Sequence, residues 1–252
     1  TGNERWENHL VALIPTVYFN RNMSRPVKNH YASPQTLGLD RLAAMIGADY
    51  LYPQAGTLVI DAGTCITYDY LDAGGNYYGG SISPGLNMRY RALNHYTSAL
   101  PLVSTDEQFN RAFGNDTPGA IQSGVQNGIK HELTGFIESY RVTQPQLNIV
   151  LTGGDGIFFD TLLKNSIFAP YIKNEPHLVL KGLHAALPSP NTSLYQGFYC
   201  FFTVFSSIDS NGTNINRHNK LSLFKIWFRR YCSAMDAAKY SYGRYINRHQ
   251  PN

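Results

Sequence analysis

The sequence has few of the residues and patterns that define several large protein classes. It contains only three cysteines, Cys65, Cys200 and Cys232, and none of them is in a C-x-x-C pair. This spacing argues against a disulfide framework, fits a reducing compartment and gives no zinc-ligand pattern with the histidines. The most apolar window, residues 199–205, is too short to cross a bilayer. We therefore predict a cytoplasmic protein that does not enter the membrane.

Three common catalytic and nucleotide-binding signatures are also absent. There is no G-x-x-x-x-G-K-[ST] loop, no G-x-G-x-x-G fingerprint and no G-x-S-x-G elbow. A P-loop, a Rossmann site and an α/β-hydrolase nucleophile therefore lack their signatures. The N-terminal TGNERWENHL has neither the basic start nor the long apolar run of a signal peptide. It also lacks an initiator methionine, so we expect the chain to begin partway through a longer protein.

The most informative segment that is present is TLVIDAGTCITYDYLDAGGNYYGGSISPG, residues 57–85. Alternating apolar residues and two glycine turns predict a three-stranded meander. In its first turn, Gly63 lets the backbone approach an anion closely and Thr64 can donate to a phosphate oxygen. Asp61, at the end of the first strand, can hold a cation that offsets phosphate charge. The segment predicts a nucleotide or phosphate site, with a plain tight turn as the alternative.

Periodicity and capping residues predict the elements around this meander. Strands are predicted at Asn148–Thr152 and at residues 177–180. Helices are predicted to begin at five places: residues 33–36, Ser83 and Pro84, Thr117 and Pro118, Phe158, and Lys181. This order predicts an α/β layer with mixed strand directions. The strand ends at Asp61 and Gly153 are expected to meet at the ligand crevice.

A second cluster, Gly38-Leu39-Asp40-Arg41, lies near a predicted helix start. Asp40 can accept the proton of a hydroxyl, and Arg41 can pair with a carboxylate, so the pair suits a small acidic, hydroxylated ligand. A surface helix with a favourable N-terminal Asp is the alternative. The strand-end sequence Gly153-Gly154-Asp155 can receive a nucleoside, although a plain turn explains it equally well. Tyr31 and Thr117 carry almost no signal by themselves.

Six motifs in order resemble the type III pantothenate kinases, in a form similar to those of Bacteroidetes-type bacteria. They are YASPQTLGLDR, VIDAGTCITYDYLDAGGNYYGGSISPGL, the ALP at residues 99–101, NDTPGAIQSGVQNGI, LTGGD and VLKGL, and the resemblance covers residues 15–187 approximately. It implies the actin-like, hexokinase-related ATPase fold, an α/β fold of two RNase H-like lobes, and a homodimer. It also implies ATP-dependent phosphorylation of pantothenate, the first step toward coenzyme A.

The resemblance further implies a role for each matched residue. Asp40 would be the general base on the pantothenate hydroxyl. The residues that would contact pantothenate are Tyr31, Gly38, Leu39, Asp40, Arg41 and Thr117. Asp61 would bind a monovalent cation, K⁺ or NH₄⁺. The residues that would contact ATP, which binds with Mg²⁺, are Gly63, Thr64, Gly153 and Gly154.

The N-terminal region departs from the family pattern. The family opens with a strand and a D-x-G-N-T loop that cradles the ATP phosphates, and residues 1–40 contain no such motif. We therefore expect residues 1–54 to be a remnant of a truncated first lobe and residues 55–187 to be the second lobe. Because misplaced reactants lose about 100-fold in rate per ångström, this predicts a weak or inactive kinase. The alternative is a non-catalytic pseudoenzyme that binds pantothenate or a partner.

The C-terminal region has a different composition from the rest of the chain. Residues 188–252 hold eight Lys and Arg residues against two acidic residues, Asp209 and Asp236. They have no counterpart in the family, and we place a boundary near Leu187. We expect a basic, poorly ordered tail, with a frameshift or read-through as another explanation. Nucleic-acid binding through interleaved basic and aromatic residues is the least favoured interpretation.

Overall fold

The computed structural model describes residues 18–23 and 26–187, and within them six strands form one mixed sheet. The strands are β1 (Lys28–Asn29), β2 (Thr57–Ala62), β3 (Cys65–Leu71), β4 (Asn76–Pro84), β5 (Asn148–Thr152) and β6 (Ile172–Asn174). Their spatial order is β1-β4-β3-β2-β5-β6. The meander β2–β4 is antiparallel, whereas β5 lies parallel to β2 and β6 parallel to β5.

Six α-helices cover the two faces of this sheet in the part of the chain that the structure describes. They are α1 (Leu39–Leu51), α2 (Leu86–His95), α3 (Thr117–Gln122), α4 (Gly128–Thr143), α5 (Gly156–Leu163) and α6 (Leu178–Ala185), and a π-helical turn, Ser123–Asn127, joins α3 to α4. Side chains alternate along β2, so Leu58 and Ile60 enter one core and Val59 enters the other. Helices α2–α5 contribute to the first core, and α1 and α6 contribute to the second.

Two glycines allow α1 and α6 to cross at very short range. A Cβ atom built at Gly182 would overlap the Ala43 carbonyl oxygen and would lie 2.8 Å from the Gly47 backbone nitrogen. A Cβ atom at Gly47 would lie 2.5 Å from the Leu178 carbonyl oxygen. Neither position has room for a side chain, because the neighbouring atoms are backbone. The crossing fixes α1, whose first turn carries Asp40, against α6 and the sheet.

The predicted meander is confirmed, but two predicted helix starts are wrong. Ser83 and Pro84 do not begin a helix, because they continue the β4 ladder opposite Ile66 and Cys65. Pro84 is accommodated because β1 pairs with β4 only near its other end, which leaves this part of β4 at the sheet edge. The helix predicted at residues 33–36 is also displaced: Pro34–Thr36 is a 3₁₀ turn, and α1 begins at Leu39.

The strand predicted at residues 177–180 is wrong as well. His177 is the N-cap of α6, and the last described strand is β6, Ile172–Asn174. Leu178 packs in the core that α1 covers and Gly182 lies against the backbone of α1, so helical packing prevails over the short apolar run. The predicted tail, residues 188–252, lies outside the described residues. None of the described helices is long and apolar enough to cross a membrane.

Candidate active site

The ends of β2 and β5 meet at Asp61, where two chain reversals lie side by side. Asp61 is in register with Thr152 of the parallel strand β5 and with Thr67 of the antiparallel strand β3. After Thr152 the chain turns at Gly153, whose φ of 89° is open to glycine but strained for other residues. A Cβ atom there would overlap the Ala62 carbonyl and the Asp61 carboxylate. Gly153 therefore brings the turn after β5 directly against Asp61.

Backbone hydrogen bonds and close packing fix the turn between β2 and β3, and Thr64 on this turn is exposed to solvent. The backbone N–H of Gly63 donates to the Cys65 carbonyl at 3.0 Å, and the N–H of Gly85 donates to the Thr64 carbonyl at 3.1 Å. A Cβ atom at Gly85 would overlap the carbonyls of Gly63 and Thr64, so the connection between β4 and α2 packs tightly behind this turn. Thr64 itself is exposed. Its hydroxyl is therefore available to an external acceptor.

Asp40 is held in one orientation at the start of α1. Its Oδ1 accepts a hydrogen bond from the Arg41 backbone N–H at 2.8 Å. A Cβ atom at Gly38 would lie 2.5 Å from the same oxygen, so a side chain there would displace the carboxylate. The φ of Gly38 is −59°, which any residue adopts. Glycine is required at position 38 for space and not for its backbone conformation.

Asp61 and Asp40 lie close enough to influence each other electrostatically. Burial, and to a lesser extent the negative charges of Asp40 and Asp69, together raise the pKa of Asp61 to about 6. Asp61 lies on the same face of the sheet as Val59, which packs in the core that α1 covers. The structure therefore brings together the two carboxylates that the sequence analysis singled out.

Arg41 is paired within the chain by a carboxylate that the sequence analysis missed. Its Nε donates to Asp69 Oδ2 at 3.0 Å and to Oδ1 at 3.2 Å, and its Nη2 donates to Oδ1 at 2.6 Å. Asp69 is 1% exposed and also accepts a hydrogen bond from the Tyr77 hydroxyl at 2.8 Å. Burial opposes the charged guanidinium, but the hydrogen bond and charge of Asp69 outweigh it and raise the pKa of Arg41.

Tyr31 packs onto this ion pair. The Arg41 Cζ lies 5.6 Å from the centroid of the Tyr31 ring, and that ring stacks on Tyr77 with centroids 6.3 Å apart. A Cβ atom at Gly79, where φ is 124°, would lie 2.9 Å from the Tyr31 ring. The bare backbone of Gly79 therefore makes room for Tyr31 over β4.

The only sequence signal for Asp69 is an acidic residue in an otherwise apolar strand.

Leu39, Gly154 and Thr117 are the remaining predicted contact residues. Leu39 is 36% exposed beside Asp40, at the first position of α1. A Cβ atom at Gly154 would have no neighbour within 4 Å, which leaves its backbone approachable. Thr117 is exposed at the first position of α3, after the N-cap Asp116. Among the described residues, no hydrogen bond joins Thr117 to Asp40 or Asp61.

The π-helical turn that follows α3 was not predicted, and it holds the long loop before Thr117. Gln126 is 1% exposed, and its side chain accepts from the Asp106 backbone N–H at 3.1 Å and donates to the Asp106 carbonyl at 2.9 Å. Asn127 Nδ2 donates to the carbonyls of Arg111 and Ala112 at 3.0 and 3.2 Å. Inserting a residue into the helical repeat turns both amides toward the loop.

The donors around Asp61 fit a weakly held cation better than a dedicated divalent site. No group of three His, Cys, Asp or Glu side chains within residues 18–23 and 26–187 could hold a metal ion. What the cleft offers is two carboxylates, Asp40 and Asp61, the hydroxyl of Thr64 and nearby backbone carbonyls. Oxygen donors of this kind suit hard cations, and Mg²⁺ at such sites is usually held mainly by phosphate and water. The excess negative charge favours a bound cation.

Comparison with known proteins agrees with this geometry. A family model described as type III pantothenate kinase matches residues 4–139. Type III pantothenate kinases of Bacteroides fragilis strain YCH46 and Phocaeicola vulgatus are 47% and 49% identical to this chain over 174 and 162 residues. The matched segments cover 69% and 64% of this chain, and the same shares of those two proteins.

A solved structure supports the fold. The crystal structure of a conserved putative Baf family transcriptional activator from Campylobacter jejuni is similar with a TM-score of 0.51 and 24% identity. The similarity covers 73% of this chain and 77% of that one, and at this identity it bears on the fold alone. The predicted α/β fold is confirmed, and the mixed sheet with helices on both faces is consistent with the actin-like, hexokinase-related ATPase fold. The family match spans more than half of the chain, and the chain therefore belongs to the type III pantothenate kinase family.

Proposed function

We propose that this chain phosphorylates pantothenate with ATP to give 4′-phosphopantothenate, the first step of coenzyme A biosynthesis. The observation that carries the proposal is the juxtaposition of Asp40 and Asp61 beside the exposed turn at Thr64. One carboxylate is available for the alcohol and the other for a cation, at strand ends where phosphates can approach bare backbone. Phosphoryl transfer needs positioning and electrostatic stabilisation of this kind.

In this mechanism each residue has a defined task. Asp40 accepts the proton of the pantothenate hydroxyl as that oxygen bonds to the terminal phosphorus of ATP, and the bond from this phosphorus to the bridging oxygen breaks to release ADP. Thr64 donates a hydrogen bond to a phosphate oxygen, and the turn at Gly153 and Gly154 receives the nucleoside. Asp61 would hold K⁺ or NH₄⁺. When bound, that cation and the Mg²⁺ carried by ATP supply positive charge that offsets the charge on the phosphates.

The substrate contacts are proposed on the same basis. Gly38 lies against the carboxylate of Asp40, and Tyr31 packs over the guanidinium of Arg41, the next residue of the helix. Thr117 would contact pantothenate from α3. We further propose that the protein is cytoplasmic and acts as a homodimer, as the resemblance implies. Light scattering coupled to gel filtration measures the mass directly, and a monomer at micromolar concentration would argue against the dimer.

The test is a steady-state assay of the full chain that follows ADP release dependent on pantothenate. The Asp40→Asn variant should lose about 10²–10⁴-fold in kcat, because the general base is removed. Its affinity for pantothenate should change only a few-fold. Asp49→Asn is the matched control, since Asp49 is the other acidic residue of the same helix. That variant should keep the wild-type rate.

Two results would contradict the proposal in different ways. If Asp40→Asn and Asp49→Asn lose the same small factor in kcat, Asp40 is not the base. If the wild-type chain binds pantothenate but releases no ADP, the binding-module alternative is correct and the chain is a pseudoenzyme. Titration with ATP and Mg²⁺ separates the latter case further, because a kinase should bind the nucleotide tightly only when Mg²⁺ is present.

A further inference from the structure

Asp69 is a buried carboxylate to which the mechanism above assigns no task. It accepts three hydrogen-bond contacts from Arg41 and one from Tyr77, and it is 1% exposed. Its charge also contributes to the field at Asp61. Asp69 therefore lies between Arg41, next to the proposed base, and the proposed cation site. Asp69 thus connects the residue beside Asp40 with the surroundings of Asp61.

The contacts of Asp69 fix the orientation of Arg41. Two of the three guanidinium nitrogens, Nε and Nη2, donate to Asp69, which defines both the plane and the direction of the group. The guanidinium also interacts with the Tyr31 side chain. The Tyr77 hydroxyl bonds the same Asp69 oxygen, and the Tyr77 ring stacks on Tyr31. The carboxylate thus determines where both the guanidinium and the Tyr31 ring lie.

The chain contains a second pair built in the same way on another part of the sheet. Glu132 of α4 accepts from Arg89 Nη2 at 2.5 Å and from the Tyr68 hydroxyl at 2.8 Å. Tyr68 belongs to the core that α2–α5 cover, whereas Tyr77 belongs to the core beneath α1. A carboxylate, an arginine and a tyrosine therefore occur in both places, but only Asp69 touches a residue of the candidate site.

We propose that Asp69 is a positioning residue for substrate binding, which holds Arg41 and, through Tyr77, Tyr31 in the orientation that receives the substrate carboxylate. This inference rests on the proposed function, because it takes a carboxylate-bearing alcohol as the substrate. Asp69 does not touch the substrate. It acts by restricting Arg41 before binding, so less side-chain freedom is lost when the substrate arrives.

The test measures the affinity of the full chain for pantothenate and, separately, for ATP with Mg²⁺, by isothermal titration calorimetry. Asp69→Asn should weaken pantothenate binding by about tenfold or more, the value of one charge-assisted hydrogen bond. Its affinity for the nucleotide should stay within about threefold. Glu132→Gln removes the equivalent carboxylate from the other pair and should leave both affinities within about twofold.

A milder variant covers the case in which Asp69→Asn does not fold. Tyr77→Phe keeps the buried ring and removes one neutral hydrogen bond to Asp69, so pantothenate binding should weaken by about threefold. Circular dichroism establishes that each variant is folded. If the folded variants at positions 69 and 77 bind pantothenate as the wild type does, or lose pantothenate and nucleotide affinity equally, the positioning role is overturned. A wild-type chain that binds no pantothenate overturns the proposed function itself.

Discussion

The glycine crossing of α1 and α6 gives the sharpest prediction about stability. In Gly182→Ala the new methyl group would overlap the Ala43 carbonyl oxygen and lie 2.7 Å from the Ala43 carbonyl carbon. Backbone atoms cannot move aside singly, so α6 must shift away from α1 by about 1 Å, and overpacking of this kind costs about 1–3 kcal/mol. Alanine recovers at most about 1 kcal/mol through its helix propensity. We expect a net loss of about 2 kcal/mol in the free energy of unfolding.

The matched control is Gly135→Ala in the interior of α4. A Cβ atom at Gly135 has no neighbour within 4 Å, so the same chemical change adds no clash there. This variant should become more stable by up to about 1 kcal/mol. Because 1 kcal/mol corresponds to about 2–4 °C in a protein of this size, the two melting temperatures should differ by roughly 5–12 °C.

Thermal and urea unfolding followed by far-ultraviolet circular dichroism measure both variants. Gly182→Ala should also have lower pantothenate kinase activity, since a shift of α1 carries Asp40 with it and a displacement of about 1 Å can cost about 100-fold. Equal melting temperatures for the alanine variants at positions 182 and 135 would show that the helices separate at no cost. The packing argument would then be refuted.

Two further predictions concern Asp61 and the loop before α3. Because the folded pKa of Asp61 is about 6 and its ordinary value is 3.8, Asp61→Asn should raise the free energy of unfolding at pH 8 by about 1–3 kcal/mol. The gain should fade between pH 6 and pH 4, where the folded wild type takes up the proton; a gain independent of pH would contradict the cause. Asn127→Ala removes the hydrogen bonds to the carbonyls of Arg111 and Ala112, so trypsin should cleave after Arg111 about tenfold faster. Ser139→Ala, which loses only a bond within its own helix, should be cleaved at the wild-type rate, and equal rates for both variants would argue against the restraint.

The part of the fold that could be predicted depends on residues that are close together in the sequence. The meander depends on alternating apolar residues and on turns such as the one at Asp72, whose Oδ1 accepts the N–H groups of Gly74 and Asn76 at 2.8 Å. At Gly75 in the same turn φ is 74°, a conformation that favours glycine. Residues within five positions of one another determine this geometry, so the sequence alone is sufficient.

The elements that were missed depend on contacts distant in sequence. Ser83 and Pro84 have the composition of a helix start, but the ladder partners of β4 extend the strand through them. Residues 177–180 are apolar enough for a strand, yet α1 offers two small residues, Ala43 and Gly47, against which a helix packs at short range. The π-helical turn likewise reflects the loop that Gln126 and Asn127 hold. None of these partners is visible in the local pattern.

In the candidate site, too, some features could be predicted from the sequence and others could not. The meeting of Asp61 with Gly153 follows from the rule that neighbouring parallel strands end at one edge, and the structure has that arrangement. The role of Asp69 could not be predicted, because its partner Arg41 lies 28 residues earlier. The sequence analysis assigned Arg41 to the carboxylate of a ligand, whereas in the structure its Nε and Nη2 already donate to Asp69. Its contact with substrate remains a prediction.

The restraint on Asp40 has a stereochemical consequence. Oδ1 already accepts the Arg41 backbone N–H and faces the bare Cα of Gly38, so a side chain at position 38 would turn the carboxylate away from its present direction. If Asp40 is the base, as proposed, the less engaged Oδ2 is the better acceptor for the proton of the alcohol. A substituent at position 38 should therefore redirect the incoming alcohol together with the carboxylate.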